Sequence, residues 1–143
     1  MIQGKYVIFM IFGTALAMAV FAWQFRISEG DDVLDYWGIE SANLLRHANR
    51  VEFLKLDSAE AADPDSTLTI NGTQQRIVSV EDISSRKGLI HARHMFIVDH
   101  TYLWEESPPE NIQNWLFAMR FSDGDKQVTL AFHSQSHTVQ MLD

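Results

Sequence analysis

The chain contains no cysteine. That excludes disulfides, thiolate metal sites, a thiol nucleophile and a lipid-modified cysteine, while leaving the redox compartment open. Basic residues are also few: eleven Lys and Arg stand against nineteen Asp and Glu, and two of the eleven, Lys5 and Arg26, flank an apolar run near the N-terminus. Everything beyond residue 26 therefore carries nine basic against nineteen acidic side chains, a formal charge of −10. A domain of that sign does not seek phosphate backbones, so nucleic acid is not an expected partner, and an anionic lipid surface repels it. Motifs of known chemistry are missing as well. There is no His-Glu-x-x-His pattern, no Gly-x-Ser-x-Gly setting for a nucleophile and no glycine-rich loop following a strand. The acidic pairs Asp31-Asp32, Glu105-Glu106 and Asp123/Asp125 fall at predicted turns or helix starts, and Asp123-Gly124-Asp125 lacks the remaining ligands of a calcium loop. No catalytic residue and no cofactor is expected.

What the sequence does have is an uninterrupted apolar run, Tyr6 to Trp23, with no charge, proline or amide side chain in eighteen residues. As a helix it is ~27 Å long, close to the ~30 Å hydrocarbon core of a bilayer. A cleaved secretory signal is the competing reading, since Ala15-Leu16-Ala17 and Ala17-Met18-Ala19 both suit a signal peptidase. The run continues past the ~7–15 residues of a signal core, however, and Tyr6 and Trp23 stand at its ends, where amphipathic rings favour the headgroup level. Arg26 lies just beyond, placed to snorkel. An uncleaved anchor over residues 1–26 is the expectation, with residues 6–23 in contact with the lipid bilayer and an acidic α+β domain over residues 27–143. Lys5 and the amino terminus lean, by the positive-inside bias, towards a cytoplasmic N-terminus in an inner membrane and a periplasmic domain. Within the run, Gly13 with Ala17 and Ala15 with Ala19 are small-x-x-x-small pairs, so a packing face for a neighbouring helix is expected there.

After a short polar exit, Arg26 to Gly30, Asp31 and Asp32 offer N-cap chemistry and favourable charge at a helix start. Val33, Leu34, Trp37, Ser41, Leu44, Leu45 and Ala48 recur at helical spacing and predict one amphipathic helix to about His47, despite Gly38. Val51 to Leu56 predicts a strand, and Ser58 to Ser66 an acidic loop around Asp63-Pro64-Asp65. Thr67 to Ile70 and Thr73 to Val80 flank Asn71-Gly72, a type I′ hairpin signal. A second helix is expected over Arg86 to Asp99, and Ser107-Pro108-Pro109 breaks the chain. Trp115, Phe117, Met119 and Phe121 alternate as a strand, Asp123-Gly124 turns, Val128, Leu130 and Phe132 return, and Thr138 to Leu142 closes a three-stranded meander. The fold class is therefore α+β: one transmembrane helix followed by a small domain of mostly antiparallel sheet covered by two helices.

Histidine is the residue type that raises a metal question. His91 and His94 lie three apart on the second helix, His100 follows, and His133 and His137 form a His-x₃-His pair, so His91, His94, His133 and His137 are the candidate nitrogen ligands for zinc or copper. No carboxylate holds a fixed offset to them, and Arg93 repels a dication, which favours structural roles in a helix and a loop. Among the many aromatics, Tyr102 and Trp104 precede two acids and two prolines and suggest an exposed rim, a candidate contact for another protein subunit.

The segments DVLDYWGIESANLLRHANRVEFLKL, DISSRKGLIHARHMFIVDHTYLW and NWLFAMRFSDGDKQVTLAF resemble an uncharacterised family of small single-pass bacterial membrane proteins with a C-terminal α+β domain. The resemblance covers most of residues 33–132 and rests on a Trp-Gly helix, a strand, a Gly-Leu-x-His-x-Arg segment (Gly88, Leu89, His91, Arg93) and a hairpin built around an Arg-Phe strand. It implies an anchor and a fold, and no activity. Together these readings predict a non-catalytic accessory or scaffolding subunit of a larger membrane protein complex, for example a respiratory or photosynthetic one. The alternative is a cell-envelope metal-binding or enzymatic domain using the histidines.

Overall fold

The computed structural model describes residues 4–28, 30–57, 66–107, 109 and 112–142. The acidic loop expected at 58–66 lies, apart from Ser66, outside the described residues, as do Pro108 and the side chain of Arg26. The first element is a helix, α1 (Gly4–Ser28), whose stretch Tyr6–Phe25 is long and apolar enough to cross a membrane. From Tyr6 to Phe25 the apolar side chains point outwards on every side and, among these described residues, none is buried against the rest of the chain, as a lipid-facing helix requires. Thr14 returns its hydroxyl to the carbonyl of Met10 at 2.9 Å, so that polar group is satisfied inside the helix.

Two short helices follow where one was expected, α2 (Asp31–Trp37) and α3 (Ile39–His47). The break is Gly38, whose φ of 78° and ψ of 155° lie far from helical values in a region open almost only to glycine. The bend lets Val33 and Trp37 of α2 and Leu44 and Leu45 of α3 enter one core from two directions. The next helix, α4 (Leu89–Met95), is shorter than its apolar spacing suggested, because Gly88 starts it in the left-handed region and the chain leaves helical form after Met95 before a 3-10 turn, Asp99–Thr101.

The six strands are β1 (Arg50–Asp57), β2 (Thr67–Ile70), β3 (Thr73–Asp82), β4 (Phe117–Asp123), β5 (Lys126–His133) and β6 (Thr138–Leu142). They form one sheet in the order β2-β3-β1-β4-β5-β6, and every neighbouring pair is antiparallel. Asn71 and Gly72 both take positive φ, 49° and 79°, as the type I′ turn between β2 and β3 demands. β1 becomes the centre of the sheet by pairing with β3 on one side and β4 on the other.

Alternation then assigns two faces. Val51, Phe53, Met119, Phe121, Val128 and Leu130 meet α2, α3 and α4 in the larger core, so three short helices, rather than two, cover that face. The opposite face carries a second core, Leu54, Leu56, Ile70, Trp115, Ala118 and Ala131, where a register shift after Lys55 lets the sheet curl over itself. Trp115 belongs to this second core, which corrects its expected place in the β4 alternation. The preceding Asn114 has φ 64°, and this turn swings the indole to the other face before β4 begins at Phe117.

Candidate functional site

The start of α2 is built around a residue remote in sequence. Gly30 is the N-cap of α2 and has no side chain to bond the free N–H groups of a helix start. Asp99 supplies the acceptor: the Gly30 N–H donates to Asp99 Oδ2 at 2.6 Å and the Val33 N–H to Asp99 Oδ1 at 2.9 Å. Asp31 and Asp32 were the expected caps, but they occupy the first turn with exposed side chains, where they favour only the helix dipole. Gly30 itself has φ 103°, and a Cβ there would sit 3.6 Å from the Ile97 carbonyl oxygen. The start of α2 is thus held by a glycine conformation and by a cap that comes from a distant part of the chain.

The main chain of Asp99 holds the other half of the site. Its carbonyl accepts the Tyr102 N–H at 3.1 Å and the Trp104 Nε1–H at 3.0 Å. The Tyr102 hydroxyl donates to the Phe96 carbonyl at 3.0 Å. Four rings assemble on this scaffold: Tyr36 lies edge-on to Trp37 (4.8 Å) and to Trp104 (5.8 Å), Trp37 lies 5.9 Å from Tyr102, and Tyr102 lies 5.2 Å from Trp104. These separations fit the quadrupole preference for edge contacts. Trp37 is buried and Tyr102 half-buried, and burial pushes the Tyr102 phenol up to about 12. The outer members remain open: Tyr36 is 55 % exposed, Trp104 38 % and the adjacent Leu103 74 %. Tyr102 therefore supports the cluster from inside, and Trp104 forms part of its surface.

A second tertiary cap closes the end of α3. Arg93 of α4 donates to the carbonyls of Arg46 (3.2 Å) and Ala48 (2.7 Å), the end of α3, and its guanidinium carbon lies 6.0 Å from the centre of the Phe121 ring. Burial lowers its proton affinity below the ordinary arginine value. The Gly-Leu-x-His-x-Arg segment thus acts through three of its positions: Gly88 turns the chain, Leu89 is buried and Arg93 caps α3, while His91 is exposed.

The remaining candidates are spread over the molecule. His91 and His94 are exposed on α4, whereas His133 and His137 lie at the β5–β6 turn. His133 Nδ1 lies 2.6 Å from Ser136 Oγ and accepts the Ser136 N–H at 3.2 Å, and its ring stands edge-on to Trp115 at 5.8 Å. That nitrogen is engaged in shaping the turn. Among the described residues, no three His, Cys, Asp or Glu side chains come together in a group that could hold a metal ion. On α1, Gly13, Ala15, Ala17 and Ala19 are all exposed, but at ~100° per residue Gly13 and Ala17 lie about 200° around the axis from Ala15 and Ala19. The single packing face expected from them becomes two narrow patches on opposite sides. A polar hollow of ≈ 350 Å³ beside the β4–β5 turn is lined by Asn49, Arg50, Glu52, Arg120 and Gln127. There Glu52 is already neutralised by Arg50 (2.8 Å) and Arg120 (3.6 Å).

Sequence reasoning missed Asp99 and Gly30. Nothing local distinguishes Asp99 from any acid in a predicted helix end, since its partners lie 66 and 69 residues away. The chain matches no family model, no curated protein and no solved structure.

Proposed function

We propose that this chain is a single-pass membrane protein whose acidic α+β domain serves, without catalysis, as an accessory or scaffolding subunit of a larger membrane protein complex, as in respiratory or photosynthetic assemblies. One observation carries the reading. A helix long and apolar enough to span a bilayer ends at Ser28, two positions before Gly30, where the domain begins with the Gly30 and Val33 N–H groups held on Asp99. A subunit that sits beside other membrane helices gains from so short a connection, because a long slack tether would lose ordering entropy on every docking. Exposed, uncharged surface on all sides of the stretch Tyr6–Phe25 supports the same reading. The small-residue pairs Gly13/Ala17 and Ala15/Ala19 permit close approach of neighbouring helices on either side. In this reading the N-terminus with Lys5 is cytoplasmic and the domain is periplasmic, anchored in the inner membrane.

Extraction in a mild detergent followed by sizing tests the proposal. The expected result is a particle containing other membrane subunits, identified in the same fraction. A monodisperse 16.4 kDa chain with nothing but detergent and lipid around it refutes it. A reporter fused after Asp143 that is active only outside the cytoplasm is expected to give signal, and activity of a cytoplasm-only reporter reverses the orientation.

A further inference from the structure

Chain geometry limits how far the aromatic cluster can stand from a membrane spanned by α1. From Phe25, the last residue of the apolar stretch, α1 rises ~4.5 Å to Ser28, and two further residues reach at most ~7 Å. Gly30 therefore lies within ~12 Å of the hydrocarbon edge, and the headgroup layer there is ~5–8 Å thick. The Gly30 N–H is bonded to Asp99, and the carbonyl of Asp99 holds Trp104, so the cluster is tied to Gly30 and shares its short reach to the membrane. Its exposed members are Tyr36, Leu103 and Trp104. Tyr36 and Trp104 are the residue types that favour the boundary between hydrocarbon and water; the Trp104 N–H is held by the Asp99 carbonyl, so the Tyr36 hydroxyl is the polar atom that can face the headgroups.

From this continuity we infer that Tyr36, Leu103 and Trp104 form a membrane-contacting collar that rests in the headgroup layer of the bilayer spanned by α1. The inference rests on reading α1 as a membrane span and goes beyond it by giving the domain a fixed seat on the lipid surface. The occupant of the collar is lipid rather than another protein, because the anchor delivers it to the bilayer with no partner needed. The surrounding charge specifies the kind of lipid. Asp35, Glu105 and Glu106, within two residues of the collar in sequence, are exposed, as are Asp31 and Asp32 in the first turn of α2, so the collar suits zwitterionic headgroups and is repelled by anionic ones. The acidity that keeps the rest of the domain off the membrane thus limits the contact to these few uncharged side chains.

Because the chain has no cysteine, a single introduced one takes a spin label at a unique site. The full-length chain is reconstituted in phosphatidylcholine bilayers as Leu103→Cys, Glu105→Cys, Gln74→Cys or Ala17→Cys, each labelled with a nitroxide. Leu103, Glu105 and Gln74 are exposed, so the label displaces no core side chain. The collision rate with a water-soluble nickel chelate is expected to be several-fold lower at Leu103 than at Gln74 in the β2–β3 hairpin. Glu105, at the edge of the collar, is expected to fall between them, and Ala17 to be shielded from the chelate and open to oxygen. If Ala17 is shielded but Leu103 and Glu105 collide with the chelate as freely as Gln74, the collar is wrong while the anchor stands. If Ala17 itself collides freely with the chelate, the anchor reading fails and the collar with it. Adding phosphatidylserine is expected to raise chelate access at Leu103; a fall in access would overturn the assignment to zwitterionic lipid.

Discussion

Replacing Asp99 by alanine removes the acceptor for two backbone N–H groups at the start of α2, held at 2.6 and 2.9 Å. A hydrogen bond to a charged group contributes ~1.5–3 kcal/mol, and loss of a helix N-cap costs ~0.5–2 kcal/mol. The site is only half-buried, so water recovers part of the loss, and the two bonds are not independent. A destabilisation of ~2–3 kcal/mol is therefore expected, which lowers Tm by ~8–12 °C in a domain of this size. Asp99→Asn keeps one neutral oxygen and is expected to cost about half as much. Thermal unfolding of the full chain in detergent, followed by near-ultraviolet dichroism of the tryptophans, reads both variants. Hydrogen exchange locates the effect: the amides of Gly30 and Val33 exchange faster in Asp99→Ala, while those of β1 and β4 keep their protection relative to global stability. An Asp99→Ala chain within ~0.5 kcal/mol of the parent, or with unchanged exchange at those two amides, refutes the claim that this carboxylate holds the start of α2.

Arg93→Ala strips the carbonyls of Arg46 and Ala48 of their donor and uncovers the Phe121 ring, for an expected cost of ~1–3 kcal/mol. Arg93→Lys is expected to recover only part, since an ammonium lacks the planar fork, and equal midpoints in urea for the three chains would contradict this. Gly38→Ala places a Cβ on a residue at φ 78° and is expected to destabilise by ~1–2 kcal/mol or more. A stabilised variant with greater helicity would mean that residues 31–47 accept a continuous helix after all. Tyr102 gives a pH signature. Its phenol ionises near 10 in the unfolded chain and at about 12 in the folded one, so the stability present below pH 10 is lost as the pH rises through 10 towards 12. Tyr102→Phe is expected to flatten that fall in unfolding free energy, and parallel curves for the two chains across the window would remove the buried phenol as its cause.

Much of the secondary structure is legible one segment at a time. Val51 to Leu56 and Val128 to Phe132 became strands because short apolar stretches bounded by turn formers have few other ways to bury one face. Asn71-Gly72 became a type I′ turn because both residues tolerate positive φ. Less of the candidate site is legible. Tyr102 and Trp104 stood out by type and setting, but the residue that organises them, Asp99, sits where the apolar spacing suggested a helix end. The second core was hidden too, because Trp115 keeps strand spacing in the sequence while Asn114 turns it to the opposite face.

The apolar stretch from Tyr6, the strong acidity of everything after residue 26, the exclusion of thiol chemistry and the alternation of the strands are properties of the sequence alone. They depend on residue type and on neighbours a few positions away, and the solvation preferences of those residues act wherever the chain goes. Tertiary structure decided that β1 lies between β3 and β4, that Gly38 divides one helix into two, and that the Asp99 carboxylate caps α2. Each of these joins segments far apart in the chain, or sets a backbone angle by packing around it, and local periodicity carries no information about which distant segment will supply the missing hydrogen-bond partner.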